Sequence, residues 1–213
     1  MNVPQSDLMA SASVDRATFE SLYDGIAPWD IGRPQAAVVA IADQLRSPIL
    51  DAGCGTGEHA MFFASRGQRV VGIDFVEEAI RRAQRKAAER GLSVEFLVKD
   101  ATDLGDWDKH FASVLDWGLF HVFSDEDRRR YVAGLARVLE RGGRVFLASF
   151  SDEEPGTEGP RRVSRQELYD AFADGWEIES IQPIRCEIHP DCTVMTFSEG
   201  GPKMWWAVIR RKG

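Results

Sequence analysis

The stretch Ile49-Leu50-Asp51-Ala52-Gly53-Cys54-Gly55-Thr56-Gly57 constrains this chain more than any other, because its parts belong to one supersecondary unit. The short apolar run reads as a buried strand, and the glycines at alternate positions read as a turn that lets backbone approach a ligand. A second apolar run, Val70-Val71-Gly72-Ile73, ends on Asp74. A strand, a glycine turn, a helix and a strand-terminal acid about 20 residues further on make the signature of a nucleoside-binding βαβ unit. The glycine spacing narrows the ligand. Dinucleotide sites use G-x-G-x-x-G at a helix N-terminus facing a pyrophosphate. Here the spacing is G-x-G-x-G with Glu58 directly after it. A carboxylate there is expected to repel a pyrophosphate and to tolerate a ligand carrying cationic groups.

The rest of the chain repeats the alternation of strand and helix. Candidate strands are 48–51, 69–74, 94–98, 111–116 and 144–150, with helices expected over 58–66, 77–90 and 124–140. Ser124 with Asp127 and Ser164 with Glu167 are spaced as helix N-caps. Pro34 is placed as the first residue of a helix running to about Leu45. After Ser164 the pattern changes: 176–188 and 203–210 read as two β runs with no helix between them, so they should pair antiparallel. Five β-then-α units and a terminal hairpin predict a mostly parallel, seven-stranded α/β sheet with one antiparallel strand.

Composition sets the remaining bounds. A chain of 213 residues is expected to make one domain. The readings are a flexible N-terminal arm over 1–13 and a single domain over 14–213, divided into an N-terminal lid (about 14–46) and an α/β core (about 47–213). The net charge of −8 argues against a phosphate-backbone partner. No apolar run approaches a membrane span. Cys54, Cys186 and Cys192 point to a reducing, cytoplasmic setting.

The run Asp51-Ala-Gly-Cys-Gly-Thr-Gly57 resembles motif I of the class I S-adenosylmethionine-dependent methyltransferases, whose Rossmann-like fold matches the order of elements from about residue 34 onward. The resemblance implies S-adenosylmethionine as cofactor, with Gly53, Cys54, Gly55 and Gly57 passing under its methionine part. It puts Asp51 near the amino end, Asp74 on the ribose hydroxyls, Phe75 against the adenine, and Asp100 with Ala101 on the adenine edge. It also makes Asp116, at the end of the fourth strand, a cofactor or substrate contact. Each has a plainer alternative: Asp74 as a helix N-cap, Phe75 as a core residue, the glycines as a bare turn.

A second resemblance lies upstream. Pro28-Trp29-Asp30-Ile31-Gly32-Arg33 is similar to the N-terminal lid of thiol and thiopurine methyltransferases and of bacterial heterocyclic-toxin methyltransferases. It implies that Trp29 covers the cofactor, that Arg33 pairs with its carboxylate, and that the segment from Tyr23 closes over the site; the alternative is that Trp29 only staples the helix at Pro34. Tyr23 and His121 are the candidate catalytic groups. His121 is read either as a general base on a phenol, hydroxylamine or thiol, or as a structural histidine at a strand end. The Asn/Asp-Pro-Pro-aromatic tetrad of nucleic-acid amine methylation is missing, which favours a small aromatic or heterocyclic acceptor, methylated on N, O or S, with the enzyme a monomer or homodimer. Cys186-x-x-His189-x-x-Cys192 lacks a fourth ligand nearby, so no metal is expected. Two other functions stay open at this point: a non-enzymatic S-adenosylmethionine-binding module, and an NAD(P)-dependent oxidoreductase.

Overall fold

The computed structural model describes residues 13–14, 16–23, 25, 27–157, 159–191 and 197–213. Most of the expected arm, Asp24 and Ile26 of the lid, and Cys192 lie outside the described residues. The chain opens with helices α1 (Arg16–Tyr23) and α2 (Ala36–Ala40) and a 3-10 turn at Ala42–Gln44. The core follows as β1 (Ile49–Ala52), α3 (Glu58–Ser65), β2 (Val70–Asp74), α4 (Glu77–Glu89), β3 (Glu95–Val98) and β4 (Phe111–Trp117). A 3-10 turn at Phe120–Val122 leads to α5 (Asp125–Val138), β5 (Leu139–Phe150), α6 (Arg165–Ala171), β6 (Trp176–Arg185) and β7 (Lys203–Arg211).

The seven strands form one sheet in the order β3-β2-β1-β4-β5-β7-β6. The first four pairings are parallel, and β7 runs antiparallel between β5 and β6. Because side chains alternate across a strand, the sheet buries both faces. Val145 and Leu147 pack with Tyr131, Leu135 and Leu168 on the face covered by α5 and α6. Phe146 and Ala148 pack with Val38, Met61, Phe63 and Ile80 on the face covered by α2, α3 and α4. The chain order reverses between β1 and β4, so a crevice opens at the C-terminal ends of these strands, where ligands of open α/β sheets sit.

Both capping expectations hold. Ser124 Oγ accepts from the Asp127 N–H at 3.1 Å, and Ser164 with Glu167 forms a reciprocal capping box. Two boundaries differ from expectation. Helix α2 begins at Ala36 rather than Pro34, because the Gln35 side chain is held by both backbone groups of Glu187, at 2.9 Å each, and its backbone is extended. Helix α5 ends at Val138, and Leu139 passes straight into β5, pairing with Phe111. The register then shifts to Ser113–Arg144 across Gly142-Gly143, so these glycines kink the strand instead of preceding it.

Candidate active site

The site is assembled from main chain first. Gly55 has φ +52°, and a Cβ there would lie 2.9 Å from the Tyr23 hydroxyl; Gly57, at φ +83°, would drive a Cβ to 2.6 Å from the Phe96 ring. Only glycine fits either place. The turn is pinned from β2: the Cys54 N–H donates to the Ile73 carbonyl at 2.8 Å, and the Gly55 N–H donates to Asp74 Oδ2 at 3.0 Å. Asp74 Oδ1 accepts from the Val76 N–H at 2.9 Å. Each oxygen therefore keeps acceptor capacity for a diol. Asp74 is not the N-cap of α4, whose N-cap is Val76 without a side-chain bond; the acid instead closes a local turn onto the Val76 N–H.

The N-terminal segment expected to be a lid packs against this turn. Phe19, Trp29 and Phe75 meet edge to face, with Phe19 6.0 Å from Trp29 and 5.6 Å from Phe75, and Tyr23 lies 6.1 Å from Trp29. Arg16 stacks on Phe75 at 5.1 Å. Polar ties hold the margins. The Val14 N–H donates to the Val122 carbonyl at 2.9 Å, Arg82 reaches the Tyr23 carbonyl at 2.6 Å, and Thr56 Oγ1 donates to Asp30 at 2.7 Å.

Two cavities meet beneath the lid. The narrower, about 160 Å³, is lined by Gly53, Asp74, Phe75, Asp100 and Ala101 among others. The wider, about 360 Å³, shares Gly53, Asp74 and Phe75 and adds Tyr23, Trp29 and His121. Six of the expected site residues line neither. The Cys54 thiol packs into the core beside Phe96 and Ala83. Gly55 and Gly57 act through backbone shape. Asp51 is 1% exposed, and its Oδ2 has no hydrogen-bond partner among the described residues. Asp116 is fully buried, and its Oδ1 accepts from the Leu119 and Phe120 N–H groups at 2.8 and 3.2 Å, so it ties the turn after β4, while its Oδ2 has no hydrogen-bond partner among the described residues. Arg33 points away, its fork gripping Glu187 at 2.7 and 3.1 Å. Glu58 also departs from expectation. It pairs with Lys86 and Arg90 at 2.9 and 2.7 Å, so its charge is compensated toward α4 and exerts little repulsion at the turn.

Burial sets the charge states. It pushes the Asp51 and Asp116 carboxyls up to about 7, the acids raising each other further at Asp51. Burial, aided by Asp74, raises the Tyr23 phenol far above its ordinary value, so the hydroxyl keeps its proton. Burial, then the Arg128 and Arg162 charges, lower His121 to about 3. His121 is thus neutral. Its Nδ1 accepts from the Phe150 N–H at 3.0 Å, which leaves the proton on Nε2. In this tautomer Nε2 is a hydrogen-bond donor.

The wider cavity also uses Phe19, Trp117, Phe150, Ile188 and Met204, none of which a motif marks. Their apolar character in sequence is that of core residues, and only the fold brings lid, β4, β5 and the β6–β7 connection together. The residues fit the cofactor that the first resemblance implies: a glycine cradle, an acid poised for a diol, and beneath them the unpartnered Asp51 oxygen, suited to a cationic amino group.

Comparison with known proteins agrees. The family described as a methyltransferase domain matches residues 49–143. The 2-heptyl-1-hydroxyquinolin-4(1H)-one methyltransferase of Mycobacteroides abscessus is 34% identical over 196 residues, covering 86% of this chain and 85% of that protein. A probable thiol methyltransferase of Arabidopsis thaliana is 26% identical, covering 67% of this chain and 65% of that protein. A solved structure concerned with converting a disulfide bond into a thioacetal group during echinomycin biosynthesis superposes with TM-score 0.81 at 33% identity, covering 92% of both chains. The chain therefore belongs to the class I S-adenosylmethionine-dependent methyltransferases.

Proposed function

We propose that this enzyme methylates a small, planar, largely apolar molecule on a nucleophilic O, N or S atom. The observation that carries this reading is the wide cavity. It opens directly onto Gly53 and Asp74, and aromatic and aliphatic side chains such as Trp29, Trp117, Phe150 and Met204 line it. The Mycobacteroides relative acts on a molecule of that description, which supports the reading.

Residues Gly53–Gly57, Asp51, Asp74, Phe75, Asp100 and Ala101 would hold S-adenosylmethionine, which supplies a methyl group already activated on a sulfonium. The protein's own part is alignment and exclusion of water. Phe19, Tyr23 and Trp29 cover the junction of the two cavities, and the aromatic walls set the plane of the acceptor. Free, buried Cys54 and Cys186 accord with a reducing, cytoplasmic setting. Among the described residues no helix is long and apolar enough to cross a membrane. We read the enzyme as a monomer or homodimer without a nucleic-acid partner.

The test is incubation with radiolabelled S-adenosylmethionine and a panel of hydroxyquinolinones, phenols, thiols and heterocyclic amines. Transfer to at least one planar member is expected. Cofactor binding without transfer to any member would favour a binding module instead.

A further inference from the structure

The wall of the wide cavity opposite Asp74 is almost wholly apolar, and one group on it stands out. His121 is 5% exposed, and its ring lies 5.0 Å from Phe150 in edge-to-face contact. Nδ1 is committed to the Phe150 N–H. His121 lines the wide cavity, and the place a Cβ on Gly118 would occupy lies 3.3 Å from its Cε1 and 3.5 Å from its Nε2. A side chain there would cover Nε2; Gly118, at φ +83°, leaves it open.

The surroundings of this ring are cationic. Arg162 stacks at 5.2 Å on Phe150, the ring that meets His121, and Arg128 stacks at 4.5 Å on Phe120, the preceding residue in the chain. Arg128 also binds the Phe120 carbonyl and Glu167, while Arg162 caps carbonyls of the 154–160 loop. The charged and titratable groups packed near the ring are thus Arg128, Arg162, Glu167, Glu154 and the buried Asp116. Both guanidiniums lower the imidazole, while Glu167 pairs with Arg128 at 3.0 Å and Glu154 lies near Arg162.

We propose that the acceptor is an acidic aromatic oxygen compound, a phenol, enol or N-hydroxy heterocycle, bound as its anion with an oxygen on the His121 Nε2–H. This deepens the small-molecule methyltransferase reading and rests on it. A fixed N–H donor and the two guanidinium charges favour the anion over its neutral acid, and they act against the burial that raises the Tyr23 phenol in the same cavity. The acceptor's proton is lost to water before binding, so no base is needed on the protein. His121 is then a recognition residue that selects acceptors by acidity as well as by shape.

The experiment titrates 4-nitrophenol, whose phenolate absorbs visible light, in the complex of the full chain with S-adenosylhomocysteine. The bound phenol is expected to ionise at least about one pH unit, tenfold in acid strength, below the free phenol. His121→Gln, which keeps an N–H donor near the Nε2 position, should preserve most of that shift. His121→Phe should abolish it. Loss of methyl transfer to 4-nitrophenol in His121→Phe but not in His121→Gln separates a donor from a base, because a base would be lost in both. An unshifted or raised ionisation in the wild type, absence of 4-nitrophenol binding, or equal behaviour of the Phe variant and wild type would overturn the proposal. The wild-type titration decides alone should the Phe variant not fold. Calorimetry with S-adenosylhomocysteine on the same samples tells this failure from failure of the methyltransferase reading, since only the latter removes cofactor binding.

Discussion

The two cavities share a floor at Gly53, Asp74 and Phe75, yet they are made by opposite means. The narrow one gathers main chain and polar groups at the ends of β2 and β3 beside apolar side chains such as Ile73, Leu119 and Phe123. There Asp74 braces the glycine turn, and Asp100 closes its own turn onto the Thr102 N–H and hydroxyl at 2.8 Å. The wide one is walled by side chains from four separate segments, the lid, the end of β4, the end of β5 and the connection after β6. Backbone geometry tolerates little change, whereas an apolar wall can be refitted by exchanging side chains of similar volume. The same scaffold can therefore keep one ligand fixed while its second ligand varies. That difference is open to attack.

The harshest attack removes the lid. A fragment of residues 34–213 retains every strand of the sheet and should stay folded, but should lose at least about 100-fold in turnover as water enters and both cavities lose their cover. Melting temperature and turnover measured together check this; unchanged turnover would show that the wide cavity does not need its roof. Next in size is Asp74→Ala. It should weaken S-adenosylmethionine binding by about 10- to 150-fold, the equivalent of about 1.5–3 kcal/mol for hydrogen bonds to a charged group. Calorimetry showing intact affinity would move the ribose elsewhere.

A smaller effect concerns the floor. Asp116 is protonated up to about pH 7 in the fold and ordinarily ionises near 3.8. The folded state therefore binds the extra proton, and the associated stability is full below that lower value and lost as pH rises through about 7. Asp116→Asn keeps an oxygen for the Leu119 and Phe120 N–H groups while removing the titration. Urea melts from pH 5 to 8 should then fall less steeply with pH in the variant than in the wild type, and parallel profiles would contradict the buried-acid account. The smallest expected effect is none. Arg33→Ala should leave cofactor affinity unchanged, since its guanidinium is occupied by Glu187. A loss as large as that at Asp74 would put Arg33 on the cofactor after all and blur the division between the two cavities.

What the sequence reveals follows the same division. The narrow side is local: strand, glycines and acids lie within about one βαβ unit, and their spacing is dictated by backbone geometry, so residues 51–101 read almost directly. Cys54 and, further on, Asp116 carry the motif's position without lining either cavity, because the Cys54 side chain turns into the core beneath the glycine turn and backbone N–H groups claim one oxygen of Asp116. The wide side is non-local. Met204 and Ile188 have nothing in sequence to distinguish them from core residues, and they become wall only when β7 inserts between β5 and β6. The partner of Arg33 was hidden for the same reason, since Glu187 is far along the chain and has no spacing to announce it. His121 was visible as a residue and opaque as a role. Its tautomer depends on a backbone N–H of β5 that no sequence pattern specifies.

The start of the described chain bears on traffic through the molecule. Ser13 Oγ donates to Asp127 Oδ2 at 2.6 Å and accepts from the Ser124 N–H at 2.8 Å, and Val14 is tied to Val122. Ser13 and Val14 line the narrow cavity, while Val14 and Phe19 also line the wide one. This stitch at the start of α5 closes one door that serves two rooms. Undoing it to let spent cofactor out also unseats the roof over the methylated product, so the two departures belong to a single opening event. Both products are then expected to leave before the next turnover begins. Trapping experiments that catch labelled product still bound after the spent cofactor has left would show two doors.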